Sequence, residues 1–435
     1  MITFLLLSMV ILLLVGVPIG IALGTASLLT ILQSPGLNWL IVTQKLLNGV
    51  NHFSMLAIPF FILAGEIFST GGVSGRLLYL ANRLVGKFTG GLSMVATLAA
   101  AFFGAISGSS AATTAAIGGI MIPSMKKAGY DNDYSAAVVA ASGLLGIIIP
   151  PSGTMLMYAV IANVSVLEMF TGGIIPGILM AFSLMAVEYF CAKKRSYGQS
   201  SFEIEEFRNK KRSTIIFESF AALLSPIIIL GGIYAGVFTA TEAAGVAVLY
   251  GLLVSCFLYR QIKLKDLYRN CVSSGISTSM IMFLIGAAAV FGWVLTVQQV
   301  PTKIVSAIRT VTSSPHMVLL LCNLVLLVAG ALLDNVAAIT LLTPVLVPLI
   351  KSYGIDPTFF GLIMIINLAI GQITPPIGMN LFVAANISGS KVEKIVGQVV
   401  PFLLVLIVDL FVFTYVPQIV TFLPSLVGKM PLRPY

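Results

Sequence analysis

Two short polar stretches lie inside apolar sequence, and their residue types suit the binding of a desolvated alkali cation. The first is "SGSSAATT" (107–114), which supplies hydroxyl groups from Ser107, Ser109, Ser110, Thr113 and Thr114. The second is "LDN" (333–335), which supplies Asp334 and Asn335, followed by Thr340. Hydroxyl, amide and carboxylate oxygens are hard ligands. An acidic residue in an apolar membrane segment is costly and usually marks an ion or proton path.

A Pro-Pro pair interrupts two other apolar stretches, "GIIIPPSG" (146–153) and "GQITPPIG" (371–378). Proline lacks an amide donor and clashes with the preceding turn, so the carbonyl groups before each pair lose their partners. Freed carbonyl groups suit a cation, whereas the N-terminus of the half-helix after each pair suits an anion. Such breaks at the interface of two repeats are typical of secondary transporters.

The composition places these stretches in a membrane. The chain has 435 residues, of which 58% are hydrophobic and 9% charged, whereas soluble proteins carry about 25% charged residues. Residues 1–31 lack a basic n-region and a cleavage site, so we expect a retained membrane segment that crosses once or twice. The net charge of +9 is scattered over short loops. Membrane orientation explains it better than nucleic-acid binding.

Several other residues with reactive or charged side chains are better explained by structural roles than by functional ones. Cys191, Cys256, Cys271 and Cys322 have no metal or redox spacing, which predicts buried, inert thiols. Arg76 lies in "GRLLYLANRLVGKF" (75–88), an amphipathic stretch that predicts a solvated face at the membrane interface. Glu242 follows a threonine and predicts a capped helix N-terminus.

The chain repeats itself with an offset of 225 residues. Matching pairs include Asp131/Asp356, Gly146/Gly371, Pro150/Pro375, Pro151/Pro376 and Glu168/Glu393. A one-residue slip extends the match upstream, so that the stretch from 102 faces the stretch from 328. We therefore expect a first repeat (1–192), a cytoplasmic linker (193–215) and a second repeat (216–435).

The basic residues predict that the two repeats are inverted. Of the 24 Lys and Arg residues, the six expected outside are Lys45, Lys303, Arg309, Lys351, Lys429 and Arg433. The other eighteen fall inside, as the positive-inside rule requires. Lys126 and Lys351 are repeat equivalents on opposite sides.

The expected fold is an all-α polytopic membrane protein with two inverted-topology repeats. Each repeat contains a re-entrant hairpin, at about 91–125 and 317–350, whose arms are shorter than the ~20 residues that cross a bilayer. Each also contains a Pro-Pro-broken transmembrane helix, at about 134–162 and 358–388. The two hairpin tips are expected to meet at mid-depth.

Five motifs in this order resemble the large membrane subunit (DctM-like) of tripartite ATP-independent periplasmic (TRAP) transporters. They are "FFGAISGSSAATTAAIGGIMIPSMKKAGYD", "GIIIPPSG", "TATEAAG", "LLDNVAAITLLTPVLVPL" and "GQITPPIGMNLFVA". The likeness covers nearly the whole chain. It implies a multi-pass protein of the bacterial inner membrane that is not an enzyme.

The resemblance also implies a mechanism. Members import small organic anions such as dicarboxylates, sialic acid or sugar acids, coupled to Na+, by an elevator movement of a transport domain against a fixed scaffold. They work with a small four-helix membrane subunit and a soluble periplasmic substrate-binding protein. Because the chain starts at the first segment of the large subunit, the small subunit is expected as a separate chain.

Site residues follow from the resemblance by matching motifs. One sodium site would comprise Ser107, Ser109, Ser110, Gly146, Pro150 and Ser152. The other would comprise Asp334, Asn335, Gly371, Thr374 and the backbone of Met379. The substrate would lie between the tips, near Ser109, Thr113, Asn335 and Pro375.

Two alternatives belong to other classes. An intramembrane aspartyl protease needs two neighbouring carboxylates, but the repeat equivalent of Asp334 is Gly108. A stand-alone sodium- or proton-coupled anion transporter, or a channel, with the same inverted hairpins stays open. Small residues such as those at 107–116 also occur where membrane helices only pack closely.

Overall fold

The computed structural model describes residues 2–34, 37–197, 207, 211–427, 430–432 and 434–435. Residues 198–206 and 208–210 of the expected linker, together with Lys429 and Arg433, lie outside the described residues. The described part of the chain forms 21 α-helices and contains no β-strand. The prediction of an all-α protein is therefore confirmed.

Eleven of these helices precede the expected linker. They are α1 (Ile2–Leu14), α2 (Ile19–Leu32), α3 (Leu40–Val50), α4 (Ala57–Thr70), α5 (Val73–Val85), α6 (Gly91–Ser107), α7 (Ser110–Lys127), α8 (Asn132–Gly143), α9 (Leu145–Ile148), α10 (Gly153–Ala162) and α11 (Val166–Lys194). A 3₁₀ turn, Phe53–Leu56, leads into α4.

Ten helices follow the linker. They are α12 (Arg212–Tyr234), α13 (Ala240–Leu252), α14 (Leu264–Val297), α15 (Val300–Val311), α16 (Pro315–Leu332), α17 (Asn335–Ser352), α18 (Pro357–Gly371), α19 (Met379–Ser388), α20 (Val392–Tyr415) and α21 (Gln418–Val427). A π-helical turn, Leu253–Leu258, continues α13. Among the described residues, 8 helices are long and apolar enough to cross a membrane. The chain is therefore a multi-pass membrane protein.

The two polar stretches each form a tight turn between two helices. The first tip, residues 107–110, joins α6 to α7 through Gly108 at φ 62, a backbone conformation that favours glycine. Ser109 then caps α7, and its Oγ accepts a hydrogen bond from the amide of Ala112. The second tip, residues 333–335, joins α16 to α17, where Asp334 Oδ2 accepts from the amide of Val336 at 3.0 Å.

The helices that flank the tips have fewer than the ~20 residues that cross a bilayer. The helix α6 has 17 residues, and α7, α16 and α17 have 18 each. The helix α7 continues through Pro123 to Lys127. Membrane helices tolerate such prolines where neighbouring groups satisfy the freed carbonyl.

Each Pro-Pro pair lies in a break between two helices. The first break, residues 149–152, separates α9 from α10, and the helix axis bends there by 43°. The second break, residues 372–378, separates α18 from α19. The peptide bonds Pro150–Pro151 and Pro375–Pro376 are both cis.

Glycine pairs bring each tip helix against its own broken helix. A Cβ atom on Gly104 would lie 2.8 Å from Cα of Gly146, and one on Gly330 would lie 3.2 Å from Cα of Gly371. The two backbones therefore touch with no side chain between them. Gly104 and Gly330 are repeat equivalents, as are Gly146 and Gly371.

The half-helices that follow the breaks interlock the two halves of the chain. The helix α10, from the first half, packs against α17 and α18 of the second. The helix α19, from the second half, packs against α7 and α8 of the first. Each half therefore completes the other, and the tips and breaks form one body.

A second group of helices surrounds this body. Contacts link α4 with α13 and α14, α14 with α2 and α3, and α5 with α12. Here the prediction of a solvated Arg76 is wrong, because the residue is fully buried. Its Nε donates to Glu218 Oε2 at 2.7 Å, and its guanidinium lies 3.7 Å from the ring centre of Tyr259. The amphipathic pattern of 75–88 could not indicate this ion-pair partner, because Glu218 is 142 residues away in the sequence.

The expectation for the cysteines is only partly met. Cys322 is buried, whereas Cys271 is exposed and Cys191 and Cys256 are half-buried. Long apolar helices present much of their surface outward, since a bilayer accepts apolar side chains there. The prediction for Glu242 is confirmed, because it forms a capping box with Thr239 at the start of α13.

The glycine contact at the second broken helix predicts a strong effect of a single methyl group. Gly371→Ala places Cβ against the Gly330 backbone, which cannot rotate away. Such overpacking costs about 1–3 kcal/mol, so we expect a lower thermal midpoint of the purified protein. Gly397→Ala in α20 is the control, because a Cβ there meets nothing within 4 Å. Equal midpoints for the two variants would contradict the contact.

Candidate functional site

Both tips and both breaks open onto one cavity of about 330 Å³. The first tip contributes residues 107–110, and the second contributes Asp334 and Asn335. The breaks contribute Pro151 and Gln372. The remaining wall comes from α4 and α14, through residues such as Glu66 and Ser277. The cavity therefore lies between the interlocked body and the surrounding helices.

Four helices begin at this cavity. The first residues of α7, α10, α17 and α19 all line it, and these are Ser110, Gly153, Asn335 and Met379. The first amides of a helix have no partner within the helix, and the helix dipole makes this end positive. The arrangement is therefore suited to an anion without any cationic side chain.

The helix N-termini of the cavity favour an anion, whereas its ionisable side chains favour cations. Glu66 and Asp334 line the cavity, and no Lys, Arg or His is among the described residues that line it. Asp334 is half-buried, and Glu66 Oε1 accepts a hydrogen bond from Ser273 Oγ at 3.2 Å. Two carboxylates beside hydroxyl and carbonyl oxygens are suited to cations.

The hydroxyl groups of the first tip are held in a local network. Ser107 Oγ and Thr113 Oγ1 lie 2.9 Å apart, and Thr113 Oγ1 donates to the carbonyl of Ser109 at 2.8 Å. Gly146 packs behind this network, since a Cβ there would lie 2.6 Å from the Ser109 carbonyl oxygen. Four residues of the predicted first sodium site or substrate site therefore form one cluster.

The first break packs against the first tip. A Cβ on Gly108 would lie 3.0 Å from the carbonyl oxygen of Pro151. Ser152 Oγ lies 2.8 Å from Thr154 Oγ1 and accepts from the amide of Met155, so it caps α10. Pro150 and Ser152 lie in this break behind the tip, and neither lines the cavity.

The second tip is tied to the second break by a buried amide pair. Gln372 Nε2 donates to Asn335 Oδ1 at 2.9 Å, and both side chains are buried. The amide of Ile377 also donates to the carbonyl of Ala331 at 3.2 Å. The second tip and the second break therefore share direct hydrogen bonds.

Two predicted residues of the second sodium site lie outside the cavity. Gly371 packs on Gly330, and Thr374 Oγ1, in the second break, donates to the carbonyl of Ile370 near the end of α18 at 2.8 Å. Met379 lines the cavity with Asp334 and Asn335.

Pro375 is separated from the other predicted substrate residues. Together with Pro376, Phe382 and Lys391, it lines a wider and more open cavity. Ser109 and Asn335 line the cavity between the tips, and Thr113 lies behind the first tip.

One side chain joins the two halves at the site. Asn380, fully buried near the start of α19, donates from Nδ2 to Ser110 Oγ at 2.7 Å and to the Ala140 carbonyl at 3.0 Å. The sequence interpretation did not single out Asn380, Gln372 or Glu66. The sequence could have indicated Asn380 and Gln372, because both lie in the "GQITPPIGMN" stretch (371–380) that breaks the second helix.

A polytopic helical bundle whose broken helices enclose a cavity is typical of membrane transport proteins. The sequence profile of the tripartite ATP-independent periplasmic transporter, DctM component, matches residues 6–419. The chain belongs to this family. It is a transporter component of the bacterial inner membrane and not an enzyme.

Two relatives and one solved structure illustrate the likeness. The isethionate TRAP transporter permease DctMQ of Oleidesulfovibrio alaskensis is 41% identical over 94% of this chain, which spans 64% of that protein. The C4-dicarboxylate TRAP transporter large permease DctM of Pseudomonas aeruginosa is 40% identical over 94% of both chains. The structure of the Alcanivorax borkumensis YdaH transporter has a TM-score of 0.63 at 15% identity, covering 86% of this chain and 88% of its own. This last likeness concerns the fold alone.

The link between the halves predicts a specific loss of stability. Asn380→Leu keeps the approximate size of the side chain but leaves the buried Ser110 hydroxyl without its amide partner. An unsatisfied buried polar group costs about 1–3 kcal/mol, so the thermal midpoint should fall. Asn386→Leu in the same helix is the control, because Asn386 is exposed. If both variants melt like the wild type, the hydrogen bonds of Asn380 do not hold the halves together.

Proposed function

We propose that this chain is the large permease subunit of a sodium-coupled importer of a small organic anion, a carboxylate, sulfonate or sugar acid. The proposal rests on one cavity, where four helices begin and where two acidic residues form part of the lining. Isethionate and C4-dicarboxylates, named for two relatives, are both small organic anions.

The anion would be bound by helix N-termini. Ser110, Gly153, Asn335 and Met379 present the starts of their helices to the cavity, whose lining has no cationic side chain within the described ranges of the chain. Backbone amides at a helix N-terminus bind carboxylate, sulfonate or phosphate oxygens without side-chain charge. A binding site of this kind accepts several anions, which fits a family whose relatives carry different substrates.

Cations would be needed to neutralise the site. At an effective dielectric constant of about 20, two like unit charges about 7 Å apart repel by roughly 2 kcal/mol. An anion near Glu66 and Asp334 meets this repulsion from each of them. Sodium ions held by the hydroxyl and carbonyl oxygens of the tips and breaks would remove it. Binding of the anion would therefore depend on sodium.

The architecture supports inverted re-entrant hairpins and an elevator movement. The helices α6 and α7, with 17 and 18 residues, are not among the 8 described helices that are long and apolar enough to cross a membrane, whereas α16 and α17, with 18 residues each, only just are. Their tips face one internal cavity from opposite halves of the chain. The interlocked body would move as a unit, while α4 and α14 belong to the fixed scaffold.

Two partners complete the proposed transporter. One is a small four-helix membrane subunit, and the other is a soluble periplasmic binding protein that delivers the anion. The tripartite description of the family supports this composition. In this assembly the soluble protein selects the substrate, while the permease chain couples its passage to sodium.

The first functional prediction concerns uptake into proteoliposomes that hold both membrane subunits. With the cognate binding protein outside, a panel containing isethionate and C4-dicarboxylates should reveal an anion taken up only when sodium is outside. Potassium chloride at equal concentration is the control. Sodium-independent uptake would contradict the coupling. Uptake at full rate by this chain alone would favour the stand-alone transporter.

The second functional prediction concerns the oxygen ligands at the tips. Ser109→Ala and Asn335→Ala each remove the side-chain oxygen of a residue that lines the cavity, so each should abolish sodium-dependent uptake at unchanged expression. Ser124→Ala is the matched control, because its hydroxyl only donates within α7, to the Ile120 carbonyl at 2.6 Å. Wild-type uptake by both tip variants would rule out the assignment of these residues.

A further inference from the structure

The cavity is lined by one acidic residue, Glu66, that belongs to neither a tip nor a break. Glu66 lies on α4, a helix that packs against α13 and α14. Its neighbour Gly65 touches the tip, since a Cβ there would lie 3.1 Å from the Ser107 carbonyl oxygen. Glu66 therefore lines the cavity from a helix that contacts the first tip.

In the part of the chain that the structure describes, the surroundings of Glu66 in the cavity contain hydroxyl groups and no cationic side chain. Ser273 Oγ donates to Oε1 at 3.2 Å, and Ser69 and Ser277 line the same wall. Among the described lining residues, the only other ionisable side chain is Asp334, which is also acidic. No cationic group of the described cavity wall therefore neutralises the negative charge of Glu66.

We propose that Glu66 is a coupling residue, a fixed negative charge on the scaffold wall that favours cations at the tips and disfavours an anion that arrives without them. This inference rests on the proposed function, because it concerns sodium binding at the same cavity. A charge on the scaffold does not travel with the interlocked body. Only the state in which the tips face α4 is therefore biased toward sodium.

The test uses sodium as the probe and the purified transporter in its complete form. The thermal midpoint is followed as sodium chloride replaces potassium chloride at constant total salt. Glu66→Gln keeps an oxygen that can accept from Ser273, so the variant should unfold like the wild type in potassium chloride. Its half-saturating sodium concentration should rise by about three- to tenfold, as expected for the loss of one nearby charge.

Two further variants test whether the effect is due to a negative charge at the cavity: one removes a charge elsewhere, and the other adds a charge at the cavity wall. Glu242→Gln removes the same charge from α13, away from the cavity, and should leave the half-saturating sodium concentration unchanged. Ser277→Asp adds a carboxylate to the same wall and should lower that concentration. This second variant keeps the test valid if Glu66→Gln does not fold.

Three outcomes would overturn the inference. A half-saturating concentration in Glu66→Gln equal to that of the wild type shows that the charge does not act on sodium. A lower midpoint in potassium chloride with unchanged half-saturation shows a purely structural role. No sodium-specific stabilisation of the wild type would contradict the proposed function itself, and this result is distinct from the other two.

Discussion

The structure depends on one constraint, which is that a polar backbone group inside a membrane must find a partner in the protein. Lipid cannot satisfy an interrupted helix, so broken backbone occurs only where protein or a polar cavity surrounds it. Here two tips and two breaks lie together around one cavity of about 330 Å³, so that four helix N-termini meet inside the protein and not in lipid.

The interlock of the two halves follows from the same constraint. Neither half encloses its own broken backbone, so α10 packs on the second half and α19 on the first. Asn380 joins Ser110 across the halves, and Gln372 joins Asn335 within the second. Because these amides are buried, moving α19 away from the first tip would leave Asn380 unpaired, and moving the second break away from its tip would leave Gln372 unpaired.

Much of this arrangement was predictable from residue type and spacing, because it is local or repeated. The tips, the breaks and the helix caps at Asp131 and Asp356 are each indicated by a pattern of a few residues. Each of these patterns occurs in both repeats. The burial of Arg76 was not predictable, since an amphipathic pattern says which face is polar but not what covers it. Pro375 is a different case. The structure puts it in a second cavity, although its repeat equivalent Pro150 lies behind the first tip.

We propose that sodium binds in the cavity between the tips through oxygen atoms of both halves of the chain. Equilibrium binding of radioactive sodium to the purified transporter can be measured without any substrate. We expect saturable binding that excess potassium does not displace and that Asn335→Ala greatly reduces. An absence of saturable sodium binding, or undiminished binding by that variant, would contradict it.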